Sequence, residues 1–503
     1  MSLATLHSRA LVGLQALPVS VEVHLAPGLP SFTLVGLADT EVKEARERVR
    51  AAITSAGLRF PHDRRITVNL APADLPKEGA RFDLPIALGL LAASAQIDPS
   101  ALDAWEWAGE LSLGGDLRPV RGALAHALAA RSGERGLVLP GDSAAEAALV
   151  PGLAVRQARH LLDVVAALQP DGATDLQAAT PWPAPDDDTA ALDLSDVRGQ
   201  AGAKRALEIA AAGQHNLLLE GPPGTGKSML AARLSGLLPP LAPAEALEAA
   251  AVRSLQAGFD PRRWAQRPFR SPHHSASSVA LVGGGSPPRP GEISMAHHGV
   301  LFLDELPEFP RPALEALREP LETGRVQIAR AARSSEFPAR FQLVAAMNPC
   351  PCGHLGNPLR ACRCSPEAVA RYRGRLSGPL LDRMDLAVTV PVLPPAELDG
   401  APTGERSQLV AGRVAQARAL ALARQGKPNA GLGPADLDAH APLVPAARTL
   451  LQQAATKLGW SGRAYHRVLR VARSIADLAG QERIDSAAVA EAIQWRRPLD
   501  ARP

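Results

Sequence analysis

The chain has few cysteines, few aromatic residues and no long hydrophobic run. All four cysteines of its 503 residues lie between positions 350 and 364, which excludes a disulfide framework spread over the chain and favours a reduced, cytoplasmic setting. The longest apolar stretch, Leu84–Ala95, is too short to cross a bilayer, and the N-terminus lacks the pattern of a signal peptide. Aromatic residues make up 3% of the chain, which argues against stacking platforms for nucleic-acid bases.

Charge of a single sign is also lacking. The chain carries 54 basic and 51 acidic residues, so its net charge of +3 does not by itself indicate a polyanionic partner. Only six of the basic residues are lysines, which is typical of a coding bias toward arginine. Clusters of arginine therefore indicate nucleic-acid contact only where their spacing supports it.

The length predicts roughly two to four domains. Residues 1–168 mix strand-like and helical segments and predict an α/β domain, and residues 169–192, rich in Pro and Asp, predict a linker. Residues 193–395 alternate apolar strands with helices, which predicts a mostly parallel sheet covered by helices. Residues 396–503 have a helical pattern throughout. The predicted fold class is α/β with a C-terminal helical lid.

A phosphate-binding pattern, G-x-x-x-x-G-K-[ST], occupies residues 221–228 between an apolar strand and a helix. In this pattern the backbone N–H groups face the phosphates, Lys227 reaches the β- and γ-phosphates, and Ser228 ligates Mg²⁺. The sequence therefore predicts an ATP site with Mg²⁺. The residues predicted to bind ATP here are Gly221, Pro222, Pro223, Gly224, Thr225, Gly226, Lys227 and Ser228.

Two further apolar strands end in polar residues. Asp304 and Glu305 follow VLFL, and Asn348 follows FQLVAAM. Because such sheets bind their ligand at the carboxyl ends of the strands, we expect Asp304 to organise Mg²⁺ and Glu305 to activate the attacking water. Asn348 is expected to hold that water, and the alternative is an Asn that starts a turn before Pro349.

These motifs together resemble AAA+ ATPases. Residues 197–200 (VRGQ), 268–279 (PFRSPHHSASSV), 283–305 and 378–386 (GPLLDRMDL) are similar to the magnesium-chelatase-like branch, specifically the ComM/YifB group, and the resemblance covers nearly the whole chain. It implies a motor that unwinds DNA or drives branch migration while transforming DNA is integrated, with other recombination or competence proteins as partners. The alternatives are a chelatase-type chaperone that remodels a partner protein and a scaffold with weak ATPase activity.

The same resemblance implies roles for single residues. Arg383 resembles the arginine finger that enters a neighbour's ATP site, and Arg463 resembles the sensor-2 arginine of the helical lid. Val197 and Gln200 would border the adenine. Because a finger supplied by a neighbour requires a ring, the resemblance also implies a homo-hexamer.

The N-terminal residues 74–93 and 109–131 resemble the Lon protease domain, which has a ribosomal-S5-like α/β fold. That class uses a serine nucleophile activated by a lysine base. Arg81 stands where the serine is expected, and the stretch 119–125 contains no lysine. We therefore expect no protease activity and interpret this domain as a ring element, a docking surface or a DNA-facing collar.

The four cysteines form the pattern C-x-C-x₉-C-x-C directly after Asn348. Two close pairs of thiols across a Gly-, Pro- and Asn-rich loop suit tetrahedral Zn²⁺. The alternative is a loop that is redox-labile or inert. The predicted structural zinc ligands are Cys350, Cys352, Cys362 and Cys364.

Three arginine clusters are candidates for contact with a DNA backbone. A predicted β-hairpin before the Asn348 strand carries Arg330 and Arg333 near its tip, where arginine suits phosphate contacts, and a solvated tip is the alternative. Residues 358–383 carry six arginines against two acidic residues. Four arginines between 463 and 473 share one helical stripe, for which a solvated face is the first interpretation.

Two histidine pairs, at 273–274 and 297–298, have no carboxylate or cysteine beside them at ligand spacing. We assign both pairs to structural or loop contacts.

Overall fold

The computed structural model describes residues 2–169, 175–183, 192–256, 259–285, 288–330, 333–394, 397 and 404–500. Among these residues, strands and helices alternate through the first part of the chain, and only helices follow the last strand. The predicted α/β fold class with a C-terminal helical region is confirmed.

The N-terminal part is built on a mixed sheet. Its helices are α1 Thr40–Ser55, α2 Asp83–Ala93, α3 Ala123–Ala130, α4 Gly141–Ala147 and α5 Leu161–Ala167. Its strands are β1 Leu3–Val12, β2 Gln15–Ala26, β3 Ser31–Val35, β4 Arg65–Ala71, β5 Trp105–Trp107, β6 Glu110–Leu111, β7 Leu117–Arg118, β8 Gly136–Pro140, β9 Val155–Ala158 and β10 Gln177–Ala178. Eight of these strands join in the order β10-β9-β8-β5-β1-β2-β4-β3, and β6 pairs separately with β7.

Hydrophobic patterning explains the two sides of this sheet. In β4 the residues Ile66, Val68 and Leu70 are buried while their neighbours are exposed or half-buried, which is the two-residue period of a strand with one covered face. Helix α2 is apolar on every side and all its residues are buried, so it forms the centre of the N-terminal core. Its first residue, Asp83, is an ion pair with Arg48 of α1, 2.7 Å between Oδ2 and Nε.

The central part holds a second sheet, of five parallel strands. Its helices are α6 Ala201–Gly213, α7 Lys227–Arg233, α8 Pro243–Ser254, α9 Ser278–Val282, α10 Glu292–Met295, α11 Arg311–Glu315, α12 Arg318–Thr323, α13 Pro366–Arg373 and α14 Gly378–Leu381. Its strands are β11 Leu217–Glu220, β12 Phe269–Arg270, β13 Gly283–Gly284, β14 Arg289–Pro290, β15 Val300–Leu303, β16 Arg325–Arg330, β17 Arg333–Pro338, β18 Gln342–Met347 and β19 Leu386–Thr389. The parallel sheet has the order β12-β15-β18-β11-β19, while β13 pairs with β14 and β16 with β17.

This order positions the predicted site. Strand β11 lies between β18 and β19, and β15 pairs with β18 on its other side. Because all these pairings are parallel, the loops that follow β11, β15 and β18 open at the same edge of the sheet.

The C-terminal part is helical. Its helices are α15 Ser407–Gln425, α16 Pro434–His440, α17 Pro445–Leu458, α18 Gly462–Leu478 and α19 Ser486–Asp500. Helix α18 is strongly amphipathic, and its buried residues Val468, Ala472 and Ile475 belong to the same hydrophobic core as α6 and β11. The C-terminal helices thus share one hydrophobic core with the five-stranded sheet.

Part of the range predicted as a linker pairs with the first sheet, because Gln177 and Ala178 lie opposite Gln157 and Arg156. None of the helices in the described ranges is long and apolar enough to cross a membrane.

Candidate nucleotide site and neighbouring clusters

The phosphate-binding loop connects β11 to α7 and borders a cavity of about 370 Å³. Gly224 and Gly226 adopt φ of +78° and +88°, and a Cβ at either position would meet no atom within 4 Å. This left-handed backbone next to open space is a cradle that favours glycine. The residues that line the cavity are Pro223, Gly224, Thr225, Gly226, Lys227, Ser228, Met229, Asp304, Glu305, Met347 and Asn348.

Lys227 is held at the floor of this cavity. Its Nζ donates to the carbonyl oxygens of Gly221 and Pro222 at 2.7 and 2.9 Å and to Oδ1 of Asn348 at 3.2 Å. Burial lowers the pKa of the ammonium group. No carboxylate among the described residues forms an ion pair with Lys227, so its charge is available to a phosphate.

Ser228 and Asp304 meet at the mouth of the cavity. The Ser228 hydroxyl donates to Oδ2 of Asp304 at 2.6 Å, and the backbone N–H of Glu305 donates to Oδ1 of Asp304 at 2.9 Å. A hydroxyl and a carboxylate oxygen at this separation form a donor set that suits Mg²⁺. Glu305 has φ of +53°, a left-handed conformation that is uncommon outside glycine and turns its side chain away from the strand direction.

A histidine reaches the carboxylate of Glu305. Nδ1 of His274 lies 2.9 Å from Oε2 of Glu305, and the His274 ring packs on that of His273 at 4.0 Å between centroids. The interpretation of this pair as loop contacts missed the partner, because Glu305 is 31 positions away in the chain. The pairing of β12 with β15 is what brings the two segments together.

Two residues predicted to border the adenine do not line this cavity. Val197 is buried in the hydrophobic core shared by the sheet and the C-terminal helices. Nε2 of Gln200 donates to the carbonyl oxygens of Thr225 and Pro391 at 3.3 and 2.8 Å. Gln200 therefore supports the backbone of the phosphate-binding loop.

The two arginines predicted to act on the nucleotide lie together elsewhere. Arg383 and Arg463 both line a cavity of about 610 Å³ that shares no lining residue with the phosphate-loop cavity. Arg383 is an ion pair with Glu322, and its Nη1 donates to the carbonyl oxygen of Pro379 at 2.6 Å. Arg463 is exposed at the start of α18. Neither arginine lines the phosphate-loop cavity of its own chain.

Comparison with known proteins identifies the family. Models described as magnesium chelatase subunit ChlI match residues 193–398 and 21–143, and one described as the subunit ChlI C-terminal part matches residues 404–496. The chain is 52% identical over 502 residues to competence protein ComM of Haemophilus influenzae, covering 99% of this chain and 98% of that protein. It is 51% and 50% identical to the YifB proteins of Salmonella typhimurium and Escherichia coli, covering 99% of this chain and 97% of each.

The chain belongs to the ComM/YifB family of magnesium-chelatase-like proteins. This family has an AAA+ arrangement, which agrees with the parallel sheet and the C-terminal helices described above. Membership implies the use of ATP and Mg²⁺. The donor set of Lys227, Ser228 and Asp304 fits that requirement.

The four cysteines of this family member converge on one point. The Sγ atoms of Cys350 and Cys352 lie 3.5 Å apart, and each lies 3.6 Å from the Sγ of Cys362. Cys364 completes a group in which all four sulfur atoms lie within 4.8 Å of one another. Sulfur ligands of a tetrahedral zinc ion lie about 3.8 Å apart, so the residues fit this metal.

The cysteine loop also touches the phosphate-binding loop. A Cβ on Gly353, which has φ of +79°, would lie 2.6 Å from Cδ of Pro223 and 3.9 Å from Cγ of Asn348. The close approach explains a glycine at this position. The cysteine loop therefore packs directly against the backbone that lines the phosphate-loop cavity.

The predicted hairpin before β18 is present. Strands β16 and β17 pair in register from Arg325 opposite Pro338 to Arg330 opposite Arg333. The side chains of Arg330 and Arg333 lie outside the described part of the structure, so their role in DNA contact stays a prediction.

The basic segment 358–383 is less free than its composition indicates. Arg373 is an ion pair with Glu220 at 2.6 Å, and Arg375 is an ion pair with Glu308 at 2.7 Å. With Arg383, three of its six arginines are thus engaged by carboxylates. The segment offers fewer charges to a DNA backbone than the sequence predicted.

The solvated-face interpretation of the stripe on α18 is wrong for Arg473. Arg473 is fully buried and donates to two backbone carbonyl oxygens. Arg467 and Arg470 are half-buried and line the same cavity as Arg463. Helical spacing put the four on one stripe, but their exposure decreases along it from Arg463 to Arg473.

The second histidine pair contacts a carboxylate, Glu248, that is distant in the sequence and so was not found from local spacing. Nε2 of His298 lies 2.8 Å and Nε2 of His297 3.5 Å from Oε2 of Glu248 on α8. Burial lowers the pKa of His297 to about 4, and its Nδ1 accepts from the backbone N–H of Arg340 at 3.0 Å. That acceptor bond leaves the proton on Nε2 of the neutral ring, which disfavours metal binding there and supports a structural role.

Proposed function

We propose that this chain hydrolyses ATP as part of a hexameric ring that moves along DNA, as a helicase or branch-migration motor in the integration of transforming DNA. The observation that carries the ATPase part is the single cavity that gathers Lys227, Ser228, Asp304, Glu305 and Asn348. These five residues come from three separate segments of the sequence and offer the donors and acceptors that phosphoryl transfer needs.

The residues of the cavity divide the chemistry among them. Lys227 is placed to bind the β- and γ-phosphates, and Ser228 with Asp304 to hold Mg²⁺. ATP supplies the phosphoanhydride bond that is broken, and its Mg²⁺ would supply positive charge that balances the negative charge of the phosphates. Glu305 is proposed to orient and deprotonate the attacking water, and Asn348 to hold that water in line.

The arginine cavity supports the ring. Phosphoryl transfer needs more positive charge than Lys227 and one Mg²⁺ supply, and a trans arginine contributes about 10³–10⁵-fold in rate. Arg383 and Arg463 line a cavity apart from their own phosphate loop, so we propose that they serve the site of a neighbouring subunit. The nucleotide site would then be complete only between two copies of the chain.

DNA as the substrate rests on a relative and on one hairpin. The Haemophilus influenzae relative, which is 52% identical over nearly its whole length, carries the name competence protein. The β16–β17 hairpin brings Arg330 and Arg333 to the end of a two-stranded ribbon. Such a tip suits contact with phosphates without reading a base sequence.

A titration of ATPase activity with forked and four-way-junction DNA tests this proposal, with Lys227→Ala as the blank. We expect stimulation by DNA at low salt that declines as salt rises, because phosphate contacts release counterions. Arg330→Ala with Arg333→Ala should reduce the stimulation and leave the basal rate unchanged. A rate that no DNA alters at low salt would reject a DNA motor.

A protein-remodelling chaperone is the second candidate, favoured by family models of a magnesium chelatase subunit that match three parts of the chain. For such a chaperone we expect a basal ATPase rate that DNA does not change and a partner protein that raises the ATP turnover rate. Both candidates need the same nucleotide site, so the DNA titration separates them.

We also propose a structural zinc ion on the four cysteines. The sulfur separations of 3.5 and 3.6 Å support it, and metal binding contributes on the order of 10 kcal/mol to ordering such a loop. Elemental analysis of protein purified without chelator should give one zinc per chain. Protein free of zinc with all four thiols reactive would favour the redox-labile or inert loop.

A further inference from the structure

A third cavity, of about 490 Å³, lies where the N-terminal sheet meets the central part of the chain. The two segments that resemble the Lon protease domain both border it, through residues 78–81 and 119–121. From the central part, the cavity is lined by residues that include Leu255, Arg289 and Ser335. A cavity of this volume is in the range of sites for metabolites and nucleotides.

Arg81 is the unusual group in this cavity. Its residue exposure is 6%, and its Nη2 donates to the backbone carbonyl oxygen of Arg121 at 2.6 Å. Its Nη1 has no hydrogen-bond partner, and no carboxylate of the described residues forms an ion pair with it. Burial lowers the pKa of the guanidinium to about 10, so it stays charged near neutral pH. A buried cation without a counter-ion is costly, and an anion beside it would offset that cost.

The other arginines of the cavity add to this charge. Arg121 and Arg289 are exposed at its rim, one from each part of the chain, and neither forms an ion pair within the described ranges. Arg48 also borders the cavity and is already held by Asp83.

Each acidic residue that lines the cavity has an interaction partner within the chain. Asp39 accepts from the backbone N–H groups of Val42 and Gly79 at 2.8 and 3.3 Å. Glu110 forms an ion pair with Arg118 at 3.4 Å. Glu78 also interacts with another group of the chain. Asp39 keeps its negative charge, because backbone N–H groups do not neutralise it. The lining therefore holds four arginines against three carboxylates, an excess of one positive charge.

A second polar group lines the cavity from the central part. Ser335 of β17 is 5% exposed, and its Oγ has no hydrogen-bond partner among the described residues. Two buried polar side chains from two parts of the chain thus line one cavity, and each has one polar atom without a hydrogen-bond partner among the described residues. A hydroxyl and a guanidinium are both donors, and one oxyanion can accept from both.

We propose that this cavity binds an oxyanion, a carboxylate or a phosphate group of a metabolite-sized ligand, between Arg81 and Ser335. Arg121 and Arg289 would hold the ligand at the rim. Because the lining comes from both parts of the chain, the bound ligand would join the N-terminal sheet to the elements around the nucleotide site. No lining residue offers a serine with a lysine base, so the cavity would bind its ligand without cleaving it.

Calorimetric titration of the full-length chain tests the site with two probes, glutarate for a carboxylate and inorganic phosphate for a phosphate. The Lys227→Ala background removes phosphate binding by the nucleotide loop. We expect saturable binding of at least one probe, and the probe that binds identifies the oxyanion. Arg81→Met should weaken it on the order of 10- to 100-fold, because a charge-assisted hydrogen bond is lost.

Arg65→Met is the matched control, since Arg65 is exposed on the same sheet outside the cavity, and it should not change binding. Arg289→Met, on the exposed rim, tests the site without a buried substitution and should weaken binding severalfold. Binding that both cavity variants leave unchanged, or no saturable binding of either probe, would overturn the proposal. The titration needs no ATP turnover, so its outcome is independent of the proposed ATPase.

Discussion

Replacing Arg383 with alanine tests the ring directly. The change removes a guanidinium that is 8% exposed and pairs with Glu322, whose side chain is 56% exposed. Because the orphaned carboxylate is largely in water, loss of the ion pair itself should cost about 1 kcal/mol in free energy of unfolding, and loss of the buried side chain's packing adds to this. Denaturant titration of Arg383→Ala therefore has to accompany the activity measurement, so that a loss of folding is separated from a loss of the reaction.

The expected loss can be given a size. If Arg383 completes the site of a neighbour, its removal lowers the turnover number by about 10³–10⁵-fold, equal to about 4–7 kcal/mol in activation free energy. ATP affinity should change little, because Lys227 and the loop backbone hold the phosphates within one chain. Glu322→Gln is the matched control, since it frees the guanidinium without removing it and should leave turnover near the wild-type rate.

Mixing two inactive variants shows whether the arginine acts between chains. Lys227→Ala subunits retain Arg383, and Arg383→Ala subunits retain the phosphate loop. In equal random mixtures about a quarter of the interfaces combine an intact loop with an intact arginine, so ATPase activity should return to roughly that fraction. Mixed rings, verified by native mass spectrometry, that stay as inactive as the separate variants would refute the trans role.

Three further predictions concern the surroundings of the site. Gly353→Ala should weaken ATP binding measured by calorimetry, because the new Cβ would clash with the phosphate loop, whereas Gly356→Ala, with similar φ and no atom within 4 Å, should not. Cys362→Ser should lower both the zinc content and the midpoint of thermal unfolding, and equal midpoints would count against a structural metal. Burial raises the pKa of Glu146 to about 7, so the folded state holds this proton more tightly than the unfolded chain. The free energy of unfolding from denaturant titrations should then fall by about 3 kcal/mol as pH rises from about 4.5 to about 7. Glu146→Gln should remove this decline, and a decline that persists in the variant would have another origin.

The strands that carry the fold were predictable where their patterns were strong. RITVNLA became β4 and GLVLP became β8, because alternating or continuous β-branched and aliphatic residues favour a strand. The first strand has a weaker pattern. In β1 the inward positions hold Ala4, Leu6, Ser8 and Ala10, and such small residues give a weak hydrophobic period although all four are buried. Its pairing with β2 over ten residue pairs is a tertiary fact that no local pattern carries.

The same division holds in the candidate site. The phosphate loop, the Asp304–Glu305 pair and Asn348 could be found because each follows an apolar strand, and parallel pairing then brings the three strand ends to one edge. The ligands of the cysteine cluster could be found because they lie within one loop. Each of these groups is built from a short stretch of sequence with a recognisable spacing.

The contacts that were not found from the sequence are polar or charged contacts between segments that are distant in the chain. His274 meets Glu305 across paired strands, Glu248 closes on His298 from a helix 50 positions away, and Arg473 is buried although its helix pattern favoured solvent. Histidine, glutamate and arginine give no hydrophobic period, so only the packed structure reveals whether they are paired. Arg81 is the clearest example, because the sequence cannot show that its buried charge lacks a counter-ion among the described residues, and that lack points to a ligand from outside the chain.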